Sequence, residues 1–136
     1  WRDGKPAQEI FREVVEQQNF LEVLDRVTDL LAEEGMMVER DAGIKGSSGV
    51  EYIFNIVVSD PENPGNLAGL NLLIGDNVFN KVFELSASKR DVNVKVVLAS
   101  MKPFPEEVIS LGELYGITLI QSNTAAGLVE KLLEIM

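Results

Sequence analysis

The chain of 136 residues contains no cysteine and no histidine. The first absence excludes a disulfide framework, a thiolate nucleophile and a cysteine-ligated zinc site. The second removes the commonest general base, the Ser–His and Cys–His pairings and the usual nitrogen ligand of transition metals. Any chemistry must rest on carboxylates, lysines or backbone groups. Basic residues are also scarce: 12 Lys and Arg against 22 Asp and Glu leave a net charge of −10. That balance disfavours nucleic acid as a partner, since binding a phosphate backbone needs a basic footprint. It suits a basic protein partner better. No apolar run approaches the roughly 20 residues that cross a bilayer, and no signal peptide is visible. The expectation is a cytoplasmic protein with no membrane association. The sequence opens on Trp1 rather than methionine. We therefore expect a fragment of a longer protein, with residues 1–18 a linker or dimerisation helix.

The remaining composition, 46% hydrophobic and 25% charged, is that of an ordinary globular domain. The length predicts a single domain over 1–136, able to bury about two-thirds of its unfolded surface. Its organising stretch runs from Lys45 to Val58. Gly46-Ser47-Ser48-Gly49 reads as a turn, and the strand after it alternates. Tyr52, Phe54, Ile56 and Val58 are expected on one face, with Glu51, Ile53, Asn55 and Val57 on the other. Asn55 is the only polar residue in mid-strand, either a satisfied core amide or the remnant of something chemical.

Around that strand, apolar residues at helical spacing predict helices up to Gly35, as two helices meeting at Gln17-Gln18-Asn19 or as one long one. Met36 to Arg40 reads as a first strand turned by Asp41-Ala42-Gly43. A turn over Asp60 to Asn66 precedes an almost wholly apolar third strand, Leu67 to Ile74. A helix from Val78, capped by Asp76 or Asn77, is followed by a strand over Val94 to Leu98. A helix introduced by Pro103 and Pro105 is closed by Gly116. Ile117 to Ile120 is a last strand, and Asn123 or Thr124 caps a terminal helix. The fold class is α/β: a mixed sheet flanked by helices.

The order α-βββ-α-β resembles the core of the restriction-endonuclease-like superfamily, the PD-(D/E)xK nucleases, in its Mrr-like branch, with an added αβα on the C-terminal side. The residues that carry the likeness are Leu30 to Gly35 with Met37-Val38-Glu39, the Gly46 to Asn55 approach, Lys95 to Ala99, and Glu113 to Ile120. Together they span roughly Phe20 to Gln121. The family places an aspartate at the centre of its second strand and a (D/E)xK tripeptide on its third; the two carboxylates hold a divalent metal that acidifies a water. Here the aspartate position matches Asn55, a poor sole anchor for Mg²⁺. The third strand holds no Glu and no Lys, and Asp76 at its end is better explained as a helix cap. The resemblance thus implies a nuclease fold without its metal or catalytic residues, with Glu51, Asn55 and Asp76 as degenerate site positions and no cofactor expected.

Lys45 with Gly46-Ser47-Ser48-Gly49 lacks the spacing of a phosphate-binding P-loop and precedes a strand, not a helix. Three functions follow as expectations. The first is an inactive nuclease-fold domain serving protein interaction or homodimerisation in a nucleic-acid-related protein. The second is a non-cutting nucleic-acid binder, which requires Arg40, Lys45, Ser47, Ser48 and Lys81, with Lys89, to converge. The third is a Mg²⁺-dependent nuclease with a migrated carboxylate at Glu51 or Asp76.

Overall fold

Leu24, Val27 and Leu31 recur at helical spacing and all are buried. They give the first helix an apolar stripe that must find a partner. The computed structural model describes residues 7–73 and 77–136, with side chains from residue 19 onward. The element order is α1 (Ala7–Glu33), β1 (Met37–Lys45), β2 (Glu51–Asp60), β3 (Asn63–Leu72), α2 (Val78–Asp91), β4 (Lys95–Ser100), α3 (Glu106–Tyr115), β5 (Thr118–Gln121) and α4 (Ala125–Ile135). Of the two helical alternatives the second holds: residues 7–33 form one continuous helix. The expectations for residues 1–6 and for Asp76 lie outside the described residues, as do those for the side chains of 7–18.

The five strands form one mixed sheet in the order β1-β2-β3-β4-β5. The first three are antiparallel neighbours, while β3, β4 and β5 run parallel. Parallel pairing requires crossovers, and α2 and α3 supply them. β4 is buried on both faces, which explains its unbroken apolar run: Val97 and Ala99 meet α1 and α4, whereas Val96 and Leu98 meet α2 and α3. Two cores therefore lie either side of the sheet. Leu128 and Leu132 of α4 join Leu24 and Leu31 of α1 against Ile56, Val58 and Leu70. Val82, Leu85, Val108 and Ile117 pack the opposite face.

The helix ends follow local chemistry. Gly35 and Gly116 both adopt positive φ, 82° and 73°. In each case the next N–H turns back to the helix, Met36 to Leu31 at 3.1 Å and Ile117 to Gly112 at 2.9 Å. The Thr124 hydroxyl accepts the Gly127 N–H at 3.0 Å and caps α4 as expected.

Two turns differ from the sequence expectation, and β4 runs over Lys95–Ser100 rather than Val94 to Leu98. Asp41-Ala42-Gly43 does not turn the chain. Asp41 takes φ 48° inside β1, which continues to Lys45, and the turn falls at Gly46 to Val50, where the Gly46 N–H donates to the Val50 carbonyl at 2.8 Å. The later loop shrinks to Pro61-Glu62, because the Asp60 carboxylate accepts the Glu62 N–H at 3.0 Å and closes a side-chain turn.

Candidate functional site

β2 and β3 are zipped from Ser59 opposite Leu67 to Ile56 opposite Leu70, and there the backbone ladder ends. The next two residues in register are Asn55 and Asn71, and their side chains take over from the backbone. Asn71 Oδ1 accepts the Asn55 N–H at 2.8 Å, and Asn55 Oδ1 accepts the Leu72 N–H at 2.8 Å. A backbone N–H only donates, so oxygen must face it in both cases, which fixes both amide orientations. Two asparagines thus bridge the point where the strands begin to part.

On the other side of β2, Asp41 and Asn55 form the one opposed pair missing from the ladder between β1 and β2. Both strands change face there. Arg40, Ile56 and Val58 are directed to the α1/α4 side, but Ile44, Tyr52 and Phe54 join the α2/α3 core. The expectation that Tyr52, Phe54, Ile56 and Val58 share one face is corrected accordingly; the change falls where the left-handed Asp41 stands opposite Asn55. The amino-terminal half of β2 is thereby carried over α2. Phe54 lies on Gly69, where any Cβ would come within 2.8 Å of the aromatic ring.

The tip of this hairpin is pinned by Asp91, the last residue of α2. Its carboxylate accepts from the Ser48 N–H at 2.9 Å, from the Ser48 hydroxyl and from the Tyr52 hydroxyl at 2.8 Å; its carbonyl accepts the Ser47 N–H at 2.9 Å. The Ser48 hydroxyl, then the Ser48 N–H and Tyr52, hold the Asp91 carboxyl below its ordinary range. The hydrogen bond to Asp91 is the main cause that pushes the Tyr52 phenol up.

Two shallow cavities flank the amide bridge. One, of about 240 Å³, is lined by Asn55, Leu72, Leu73, Asn77, Lys81 and Glu84 together with Phe20. The other, of about 260 Å³, includes Glu51, Phe54, Asn71, Glu84 and Ser88. Of the residues expected at a site, Asn55 and Lys81 share the first cavity, with Lys81 Nζ 3.5 Å from Glu84 Oε2. Glu51 opens onto the second. Lys45, Ser47 and Ser48 stand together at the hairpin tip, but Arg40 faces away and pairs with Asp25 of α1 at 2.7 Å. Lys89 donates to the Val94 carbonyl at 3.1 Å. Asp76 lies outside the described residues.

The sequence reading missed Asn71 and Glu84. Asn71 carried the same signal as Asn55: it is the lone polar residue in Leu70-Asn71-Leu72-Leu73, and it is buried. Glu84 carries no local signal in the sequence, and only the fold brings it to the fork. Among the described residues no three acidic side chains gather as a metal cluster would need. The amide oxygens at the fork are already engaged by backbone donors. The carboxylate of the first cavity is paired with Lys81, so that cavity offers hydrogen-bond donors more readily than cation ligands.

No family model and no curated protein matches the chain. Solved structures do resemble it. Protein AF1548, of unknown function, superposes with a TM-score of 0.56 at 16% identity, over 73% of this chain and 57% of its own. Protein VC1899 from Vibrio cholerae gives 0.57 at 14% identity, over 83% of this chain and 32% of its own. This chain therefore spans a little over half of one and about a third of the other. At such identities the likeness is one of fold.

Proposed function

We propose that the chain is a restriction-endonuclease-like domain that has lost its metal chemistry and serves as a protein-interaction module in a nucleic-acid-related protein. The observation that carries the reading is the pair of amide bridges at the fork, Asn71 Oδ1 accepting the Asn55 N–H and Asn55 Oδ1 accepting the Leu72 N–H. In PD-(D/E)xK nucleases the facing positions of the second and third strands supply the metal carboxylates, and two residues further along the third strand stands the lysine. On this register those positions hold Asn55, Asn71 and Leu73. Two neutral amides with their oxygens tied to backbone N–H groups replace a pair of anions, and a leucine replaces the ammonium. A divalent hard cation seeks charged oxygen ligands and would find few here.

A calorimetric titration with Mg²⁺ and Mn²⁺, run beside cleavage of a labelled DNA duplex, tests this reading. The expected result is silence in both. The family alignment is tested separately by the triple variant Asn55→Asp, Asn71→Glu, Leu73→Lys. If the register is right, the folded variant gains Mg²⁺ binding; a variant that keeps its circular dichroism spectrum and gains none would count against the alignment.

One observation favours a second reading, a nuclease with migrated ligands: Glu51 and Glu84 share the cavity floored by Asn71. That reading requires metal uptake and cutting by the unaltered chain, with both lost in Glu84→Gln.

A further inference from the structure

The outer flank of the α2/α3 layer carries a continuous apolar track. At its upper end, beyond the carboxyl ends of β3 and β4, is a cavity of about 330 Å³ lined by Leu73, Val78, Phe79, Met101 and Phe104, with Lys102 among the lining residues. Phe104 is held between Pro103 and Pro105, two residues with fixed φ, so this wall is already in place before anything binds. Phe79 belongs to the cavity and also begins the track. Phe83 lies one turn further along α2 and meets Tyr115 of α3 edge-on, with ring centroids 6.0 Å apart. Leu114 follows beside Tyr115. Phe79 is 43% exposed, Phe83 48% and Leu114 74%. Three large apolar side chains are thus left 43% to 74% exposed next to an apolar cavity, where covering them would be favourable.

The charge on the α3 side of the track selects the occupant. α3 carries Glu106, Glu107 and Glu113 and no basic residue, whereas Lys89 and Arg90 close α2 and Lys102 lines the cavity. A second copy of this chain would bring the same glutamates against one another, and the whole chain already bears −10. The complementary surface is one with apolar side chains along a stripe and positive charge on the flank that meets α3. The length fits a helix: α3 has 10 residues, and at 1.5 Å per residue it runs about 15 Å, three turns of a partner lying alongside.

We propose that this face docks a basic amphipathic helix of a partner protein, one large apolar side chain entering the cavity beside Phe79 and Phe104 and the following turns lying over Phe83 and Leu114. This is the helix-in-groove mode of recognition, with anchors at i, i+3 or i+4 and i+7. The inference rests on the interaction-module reading but not on the silence of the Asn55–Asn71 fork.

The test uses the full chain and two fluorescent model peptides of about 14 residues, three to four helical turns. Both carry one tryptophan and a leucine stripe; one has lysines on its flanks and the other glutamates. Fluorescence anisotropy is expected to show the lysine peptide binding at least about tenfold more tightly, because like charge repels the other. Combining Phe83→Ser with Leu114→Ser should weaken binding about tenfold or more, as loss of central apolar anchors does. Ile109→Ser, about 140° round α3 from Leu114, should bind as the parent does. Circular dichroism confirms that each variant is folded.

Equal binding of the two peptides overturns the proposal. So does binding that survives the double substitution, which would be charge attraction alone. A concentration-dependent dimer in sedimentation that Leu114→Ser abolishes would make a second copy the occupant and overturn it too. A chain that takes up metal and cuts DNA sinks the silent-fork reading and leaves the peptide result standing, so the two failures are separable.

Discussion

The two faces of the sheet solve the same packing problem to different degrees. On one, α1 and α4 close over β2, β3 and β4, and Leu24, Leu31, Leu128 and Leu132 are all buried. On the other, α2 and α3 bury Val82, Leu85 and Val108 just as completely, yet leave Phe79, Phe83 and Leu114 outside. Beside this second layer the hairpin of β1 and β2 departs from the sheet, and the cavities open in the gap. The first face is committed to stability. The second has enough core to hold the fold and keeps apolar surface and unfilled space besides, which is where recognition in α/β domains is usually placed.

Substitutions can break this contrast or sharpen it. The largest effect is expected on the closed face: Leu31→Ala and Leu132→Ala should each cost about 3 kcal/mol in urea denaturation, since both side chains are fully enclosed and their loss leaves a cavity. Next comes the close contact beneath the hairpin. Gly69→Ala puts a methyl group against the Phe54 ring, and we expect a loss of about 1–3 kcal/mol by the same measurement. Asn71→Leu should cost roughly 1–2 kcal/mol, because the Asn55 N–H would stay buried without its acceptor; Asn71→Asp, which keeps the oxygen, should recover much of that.

The pin at Asp91 gives a smaller effect with a defined pH signature. Its folded-state pKa is depressed, so its contribution is present above the ordinary carboxyl value of 3.8 and is lost as pH falls through the lower folded value. The urea midpoint of the parent should therefore drop more steeply below that pH than that of Asp91→Asn. Tyr52 has the opposite sign: its raised pKa adds stability below 10.0 that disappears as pH rises through the higher folded value. The smallest change is expected on the open face, where Phe83→Ser should move stability by no more than about 0.5 kcal/mol, as exposed positions generally do. A large loss there would show that Phe83 belongs to the core and would remove the contrast.

The element order was legible in the sequence because it rests on periodicity and on caps that act locally. Thr124 and Gly116 marked their helix boundaries, and the apolar β4 announced a strand covered on both sides. Asn55 stood out because a polar residue interrupts an apolar strand. Its partner Asn71 gave the same local sign, but their pairing depends on a register between strands that alternation within one strand cannot supply. The change of face at Asn55 was hidden for a different reason. It falls opposite Asp41, whose left-handed φ is one that aspartate tolerates better than most residues but that no local sequence pattern announces. Phe79 and Phe83 illustrate a third limit: helical spacing puts both in the buried stripe of α2 with Val78, Val82 and Leu85, and only the neighbours brought by the fold leave them 43% and 48% exposed.

Asp41 has one more effect, on how this molecule meets copies of itself in a crowded solution. β1 is a border of the sheet and is nine residues long. A straight run of that length with its outward N–H and C=O groups unpaired is a template on which another chain can polymerise. The left-handed residue at position 41 divides it into two runs of four, Met37 to Arg40 and Ala42 to Lys45. Neither run alone is long or flat enough to seed a growing sheet, and the charges of Glu39, Asp41 and Lys45 stand along it. An interrupted, charged border of this kind is among the features by which sheets discourage edge-to-edge pairing.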